Sequence, residues 1–236
     1  MQVIQRTHQG LVRKDNQDAL LVDGHVFGVA DGMGGHRGGK TASTVTAGVL
    51  TSFLRGKPPT PDTLRLAVEA ANRRVYAMAQ DDESLSGMGT TLTMLWEDAS
   101  SLLIAHVGDS RAYRLRDGVL KQMTDDHSMV AEMVRNHIIT ADMARNHPMR
   151  NIITRAVGID ATVYPDIFAH EKRVGDLWLL CSDGLYDMVA DEEILATLTA
   201  HDDEAAAGKL LSLALEHGGA DNVSFVLCRV TEVPQP

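Results

Sequence analysis

Apolar residues recur at helical spacing in three segments of the chain. Thr60 followed by Pro61 is typical of a helix start. The residues after it place an apolar side chain every three or four positions, at Leu64, Val68, Ala71, Val75 and Met78. An earlier helix is predicted from about Gly39 to Arg55, ending at Gly56. Its predicted buried face consists of Val45, Val49 and Phe53. A late helix is predicted over about 203–217.

Strand signals occupy the stretches between these helices. Asp23-Gly24 and Asp117-Gly118 each stand between two apolar runs, which is typical of a tight hairpin. Further strands are predicted over 90–96, 101–107, 176–181 and 223–230. Tight hairpins require antiparallel pairing, and the helices come in separate pairs rather than after every strand. The pattern therefore predicts an α+β fold, and because no linker divides the chain, we expect a single domain.

Composition allows a large core and restricts the partners. The 236 residues are 44% hydrophobic and carry a net charge of −10 at pH 7. That charge argues against nucleic-acid binding, which needs clustered Lys and Arg. Two features could explain the negative net charge: aspartates that gather around cations, or an acidic surface that keeps the protein in solution. We expect Cys181 and Cys228 to be buried thiols. No signal peptide or membrane span is evident, so a cytoplasmic protein is predicted.

Aspartates stand beside the ends of the predicted strands. Asp31, Asp109 and Asp183 each close an apolar run next to a glycine, while Asp18 and Asp221 precede further runs. A single aspartate after a strand is usually a turn residue. Several of them instead indicate a shared carboxylate cluster, the kind of site that binds Mg²⁺ or Mn²⁺.

Residues 34–41 leave a different interpretation open. Their sequence, Gly-Gly-His-Arg-Gly-Gly-Lys-Thr, satisfies the phosphate-loop pattern of nucleotide hydrolases. That fold needs a parallel sheet, whereas the preceding strand is half of the Asp23-Gly24 hairpin. Asp31 just before the loop would also repel nucleotide phosphates unless cations intervened. A nucleotide hydrolase is therefore the less favoured alternative.

Six short motifs stand in a characteristic order along the chain. They are Arg13-Lys-Asp-Asn-Gln-Asp18, Asp31-Gly-Met-Gly-Gly35, Gly89-Thr-Thr91, Val107-Gly-Asp-Ser-Arg111, Ser182-Asp-Gly184 and Asp221-Asn222. This set resembles the type 2C (PPM) metal-dependent protein serine/threonine phosphatases, especially their bacterial single-domain members. The resemblance covers about residues 2–231. It implies a four-layer α/β/β/α sandwich, with two antiparallel β-sheets flanked by helix pairs.

The resemblance also implies a single phosphatase domain over residues 1–236 with a flap subdomain at about 127–155. This segment contains His127, His137 and His147, whose ten-residue spacing gives no local geometry for zinc. The implied activity is hydrolysis of phosphoserine and phosphothreonine on proteins. A bacterial Ser/Thr kinase and its targets would be the partners, and the chain would be a monomer. A catalytically dead, phosphatase-like binding module is another alternative, disfavoured because every implied metal-binding aspartate is present.

Two core Mn²⁺ or Mg²⁺ ions and a possible third follow from the same resemblance. Their implied ligands are Asp18, Asp31, Gly32, Asp109, Asp183 and Asp221. Asp31 would bridge both core ions with help from the Gly32 carbonyl, and Asp109 would join Asp183 at the third. A hydroxide shared by the core ions would then attack phosphorus directly.

Two further roles concern the substrate. Arg13 would bind the phosphate, for which its planar guanidinium is suited, and Asn222 would orient Asp221 or a water. Many eukaryotic relatives have a histidine after the Asp-Gly pair as general acid, whereas this chain has Met33, which cannot deliver a proton. His36 is the candidate replacement; alternatively, water protonates the leaving group.

Overall fold

The computed structural model describes residues 1–34, 38–145 and 147–233. The strands within these ranges are β1 (Gln2–His8), β2 (Ala19–Asp23), β3 (Val26–Ala30), β4 (Gly32–Met33), β5 (Gly89–Thr90), β6 (Leu92–Glu97), β7 (Ser101–Val107), β8 (Arg111–Arg116), β9 (Val119–Gln122), β10 (Asp166–Glu171), β11 (Leu177–Cys181) and β12 (Val223–Arg229). The helices are α1 (Gly38–Leu54), α2 (Pro61–Asp81), α3 (Met129–Arg135), α4 (Ala141–Arg145), α5 (Asp183–Tyr186), α6 (Asp191–Ala200) and α7 (Asp203–Glu216). Within the same ranges, no helix combines the length and apolar character that crossing a membrane requires.

Two five-stranded antiparallel sheets form the centre of the sandwich. The first has the strand order β1-β12-β11-β8-β9, and the second β10-β7-β6-β3-β2. Both predicted hairpins are confirmed. In the β8–β9 turn, Asp117 and Gly118 both have positive φ, as such a two-residue turn requires.

Three apolar layers hold the sandwich together. Side chains from both sheets meet in the centre, including Phe27, Ile104 and Trp178. Helices α1 and α2 cover the outer face of the second sheet, burying Leu50 and Leu64 among others. Helices α5, α6 and α7 cover the first sheet. The predicted α/β/β/α sandwich is therefore confirmed.

The helix predictions hold in position but not in every detail. Helix α2 begins as predicted, with the Thr60 hydroxyl accepting a hydrogen bond from the Thr63 amide. In α1 the fully buried face is instead Ala42, Thr46, Leu50 and Leu54. The predicted Val45, Val49 and Phe53 are only partly buried. The helix packs instead through the adjacent face, where the small residues Ala42 and Thr46 allow close contact.

The segment expected to form a flap contains two short helices, α3 and α4. Its two ends run side by side, because Ser128 pairs with Ile153 in an isolated antiparallel bridge. The Met129 amide donates to the Ile152 carbonyl across the same pair of chains. The segment therefore leaves and rejoins the sandwich at one point.

Candidate metal and phosphate site

Five aspartates lie at one end of the sandwich, as the antiparallel pairing requires. Asp18 precedes β2, and Asp31 follows its pairing partner β3, with Ala19 opposite Ala30. Asp221 precedes β12, and Asp183 follows its neighbour β11. Asp109 follows β7, which pairs with β6 in the same sheet as β3. The structure thus brings together all five aspartates predicted from the sequence.

Asp31 is anchored by its backbone. Its amide donates to the Thr91 hydroxyl at 2.9 Å, and its carbonyl accepts from the Thr91 amide at 2.8 Å. The Thr90 hydroxyl donates to the same carbonyl. Burial, followed by the nearby Asp18 and Asp183, raises the pKa of the Asp31 carboxyl well above its ordinary value. The neighbouring Gly32 must lack a side chain, since a Cβ there would lie 2.1 Å from the Gly39 carbonyl oxygen.

Asp18 is held by Ser182, to which the sequence analysis gave no role. The Ser182 hydroxyl donates to Asp18 Oδ2 at 3.0 Å, whereas Oδ1 is buried and accepts no hydrogen bond from any described residue. Burial raises the pKa of Asp18 to about 6, although the nearby hydroxyls of Ser224 and Ser182 oppose the rise. The available signal was a hydroxyl residue inside or directly after an apolar strand, at Ser182 and Ser224.

Asp183 and Asp109 form the other side of the group. Asp183 is the first residue of α5, and its Oδ1 is likewise buried without a partner in the described chain. Burial and then the charge of Asp109 raise the pKa of Asp183 well above its ordinary value. Asp109 is 8% exposed, and burial followed by the charge of Asp126 raises its pKa to about 7. Tyr186 fixes this turn by donating to the Asp109 carbonyl at 2.9 Å.

Arg13 lies on the loop at residues 9–17, and Asn222 holds that loop in place. The Asn222 side chain donates to the Gln9 and Asp15 carbonyls and accepts from the Gln17 amide, all at 2.8–2.9 Å. Arg13 Nη2 donates to Asp221 Oδ2, and the Arg13 side chain is 56% exposed. Asn222 contacts Asp221 through its backbone amide, so its side chain serves the Arg13 loop rather than Asp221.

The donor chemistry of this site fits hard cations. The side chains supply only oxygen, and two of the buried oxygens accept no hydrogen bond from the described residues. Like charges held together raise one another's pKa values, and cations would reverse that effect. No group of three or more His, Cys, Asp or Glu side chains in residues 1–34, 38–145 and 147–233 is placed to hold a metal ion as it stands.

His36 lies outside the described residues, as does the middle of the phosphate-loop pattern at 35–37. Met33 is in β4, paired with Gly89. The strand before the loop, β3, pairs antiparallel with both β2 and β6, so the sheet does not support the nucleotide-hydrolase alternative.

A cavity of about 800 Å³ lies between the flap segment and the body of the domain. Asp109 and Asp183 line it, together with Val130 and Val134 of α3. Further acidic side chains line the same cavity, at Asp125, Asp126, Asp187, Asp191 and Glu193. Arg111, Arg135 and Arg150 line it too, so the aspartate group is continuous with a larger space whose walls carry both acidic and basic side chains.

Comparison with known proteins gives a consistent family. Residues 5–208 match the family model described as protein phosphatase 2C. Serine/threonine protein phosphatase PstP of Mycobacterium tuberculosis is 40% identical over 96% of this chain, which spans only 44% of that relative's length. Serine/threonine phosphatase Stp of Listeria monocytogenes is 37% identical, covering 94% of this chain and 93% of that protein. The crystal structure of the PstP catalytic domain with two manganese ions is 38% identical, with a TM-score of 0.90 over 98% of both chains.

Proposed function

Because this chain belongs to the protein phosphatase 2C family, we propose that it hydrolyses phosphoserine and phosphothreonine on proteins, with Mn²⁺ or Mg²⁺ as cofactor. The observation that carries the proposal is the group of five aspartates at one end of the sandwich. Within it, Asp18 and Asp183 each have a buried carboxylate oxygen that accepts no hydrogen bond from the described residues. Such a group is costly to keep ionised without cations.

The proposed ligands are those that the resemblance implied: Asp18, Asp31, Gly32, Asp109, Asp183 and Asp221. When bound, divalent cations would supply an activated water and offset the charge of the phosphate. The manganese-bound PstP domain supports two such ions in a related protein. Here the Thr91 hydroxyl and amide fix the backbone of Asp31, while Ser182 fixes one oxygen of Asp18.

Arg13 is the proposed phosphate-binding residue. Its guanidinium can present two parallel N–H groups to phosphate oxygens, and most of the side chain is accessible. Its present contact with Asp221 leaves donors available. The hydrogen bonds of Asn222 set the position of the loop at residues 9–17, so Asn222 would determine where Arg13 meets the substrate.

The cavity beside Asp109 and Asp183 is the proposed path for the substrate chain. Its volume of about 800 Å³ is within the range of small-ligand pockets, and it opens from the aspartate group toward the flap segment. We therefore extend the proposal to peptide residues that flank the phosphorylated one. A phosphorylated protein, including a Ser/Thr kinase and its targets, is the proposed partner.

Four further expectations remain predictions. The flap subdomain at about 127–155 is proposed as part of a single phosphatase domain, and a monomer should elute near 25.6 kDa. A cytoplasmic location is supported by two buried cysteines, Cys181 and Cys228, neither of which is in a disulfide. His36 remains the candidate general acid.

The proposed function is tested by phosphate release from a phosphothreonine peptide, with Mn²⁺ or with EDTA. Asp183→Asn removes a proposed ligand, and the matched control is Asp81→Asn, at an exposed aspartate that ends α2. We expect Mn²⁺-dependent release from the wild type and the control, with at least a hundredfold loss in Asp183→Asn. A folded wild-type protein that releases no phosphate with any divalent cation would refute the proposal. Preferential consumption of ATP would instead favour the nucleotide hydrolase.

A further inference from the structure

His127 lies at the root of the flap segment and contacts the turn that carries Asp109. The two residues His127 and Gly108 exchange hydrogen bonds. The His127 amide donates to the Gly108 carbonyl at 2.8 Å, and the Gly108 amide donates to His127 Nδ1 at 3.0 Å. Gly108 directly precedes Asp109 in the chain, so this reciprocal pair fixes the backbone next to a proposed metal ligand.

His127 also joins the two ends of the flap segment. The Thr154 amide donates to the His127 carbonyl at 2.8 Å, one residue beyond the bridge between Ser128 and Ile153. His127 is 4% exposed and packs against the buried His106 ring, with 4.7 Å between ring centroids. The start of the flap, its end and the Asp109 turn therefore meet at one buried residue, through both its backbone and its ring.

The imidazole of His127 is oriented from its opposite side. Because Nδ1 accepts from the Gly108 amide, the neutral ring carries its proton on Nε2. Nε2 then donates to Asp166 Oδ2 at 3.1 Å. Arg155 Nη1 in turn donates its two hydrogens to Asp166 Oδ1 at 2.8 Å and to the Tyr164 carbonyl at 2.9 Å. Its 3.1 Å contact with His127 Nε2 therefore joins two nitrogens that both donate to Asp166. Arg155 ends the flap and Asp166 begins β10, so the ring is held between the flap and the second sheet.

Burial supports the neutral form of this ring. It lowers the pKa of His127, although the hydrogen bond to Asp166 opposes that change. A neutral histidine with one accepting and one donating nitrogen satisfies both of its partners, whereas a protonated ring could not accept from the Gly108 amide.

We propose that His127 is a positioning residue, oriented by Asp166 and Arg155, that holds the Asp109 turn in register with the root of the flap. This inference rests on the proposed function only in giving Asp109 a metal-binding role. Residues that orient metal ligands typically change metal affinity or activity by about 10- to 100-fold when replaced. If His127 were purely structural, replacing it would lower stability by a similar amount whichever of its two nitrogens the substitution preserved.

Two substitutions separate the two nitrogens of the ring. His127→Asn places an amide oxygen near the position of Nδ1, keeping an acceptor for the Gly108 amide and losing the donor to Asp166. His127→Gln places an amide nitrogen near the position of Nε2, keeping the donor to Asp166 and losing the acceptor for Gly108. His25→Gln, at a 74% exposed ring in the β2–β3 turn, is the matched control.

The first readout is hydrogen exchange of the Gly108 amide in metal-free protein, which needs no activity. We expect exchange at least about tenfold faster in His127→Gln than in His127→Asn, with the His25→Gln control equal to wild type. The second readout is the Mn²⁺ concentration that gives half of the maximal rise in melting temperature. It should increase about tenfold in His127→Gln and less in His127→Asn.

Equal exchange rates of the Gly108 amide in the Asn and Gln variants would overturn the proposal. It would also be overturned if the exchange rates differ but both variants need the same Mn²⁺ concentration for half of the maximal rise in melting temperature. Both measurements omit substrate, so a wild-type protein that fails to release phosphate would refute the proposed function while leaving this test intact.

Discussion

Neutralising Asp109 should stabilise the metal-free protein at alkaline pH. Asp109 is 8% exposed, and its pKa rises from 3.8 to about 7 because burial, and then the charge of Asp126, disfavours the ionised form. An acid whose pKa is higher in the folded than in the unfolded chain opposes folding when ionised. The penalty is complete above about pH 7, decreases as the pH falls, and disappears below 3.8.

The size of this penalty follows from the two pKa values. Each pKa unit corresponds to about 1.4 kcal/mol, so the difference between 3.8 and about 7 corresponds to about 4 kcal/mol at pH 8. At pH 5 the same reasoning leaves under about 2 kcal/mol. Asp109→Asn removes the charge at both pH 5 and pH 8. Any change in unfolding free energy caused by the amide itself is the same at the two pH values and cancels in the comparison. The difference in unfolding free energy between variant and wild type should therefore shift by about 3 kcal/mol in favour of the variant from pH 5 to pH 8.

Urea unfolding in EDTA at the two pH values measures this shift, with Asp81→Asn as the control for loss of an exposed charge. Saturating Mn²⁺ should reverse the ranking at pH 8, because a cation that binds the folded state stabilises the wild type more than a variant lacking one ligand. A stability difference between Asp109→Asn and wild type that is the same at pH 5 and pH 8 would refute the reasoning.

Three other substitutions test separate parts of the site. Asn222→Ala removes three hydrogen bonds to the loop at residues 9–17, so we expect a loss of about 3 kcal/mol in urea unfolding and a higher KM for phosphopeptide; unchanged values of both would contradict the role given to Asn222. Arg13→Lys cannot form the paired hydrogen bonds of a guanidinium and should raise KM about tenfold in steady-state assays, whereas an equal KM would exclude Arg13 from phosphate binding. Burial lowers the pKa of His106 to about 3, so its contribution to stability is complete above about pH 6.5 and is lost as the pH falls toward 3. His106→Gln should therefore lose less stability than wild type between pH 6.5 and pH 4, and parallel urea-unfolding curves would contradict this.

The sheets and the aspartate positions were predictable because their signals are local. Asp-Gly turns define hairpins through two residues alone, and each aspartate stands next to an apolar strand. The edge strands β1 and β10 were missed, since β1 mixes polar with apolar positions and β10 is only partly buried. Helix α6 was missed as well, because its start at Ala190 has no polar N-cap side chain.

Contacts between distant segments could not be read from the sequence. Ser182 binds Asp18 across 164 residues, and Asn222 binds the carbonyls of residues 9 and 15. The spacing of His127 from other histidines gave no indication of its partners Gly108 and Asp166, which lie on other strands or turns. The buried face of α1 could not be predicted either, because two adjacent faces of the helix could pack on the sheet. Packing favours the face that contains small residues such as Ala42, and this depends on the surrounding structure.

Anomalous diffraction from crystals grown with Mn²⁺ tests the central claim most directly, because it locates the cations without assuming an activity. The account predicts at least two manganese peaks in contact with the Asp31 carboxylate, with Asp18, Asp183 and Asp221 closing around them. Manganese peaks located away from Asp31 and Asp183, in crystals of a protein that releases phosphate with Mn²⁺, would contradict it.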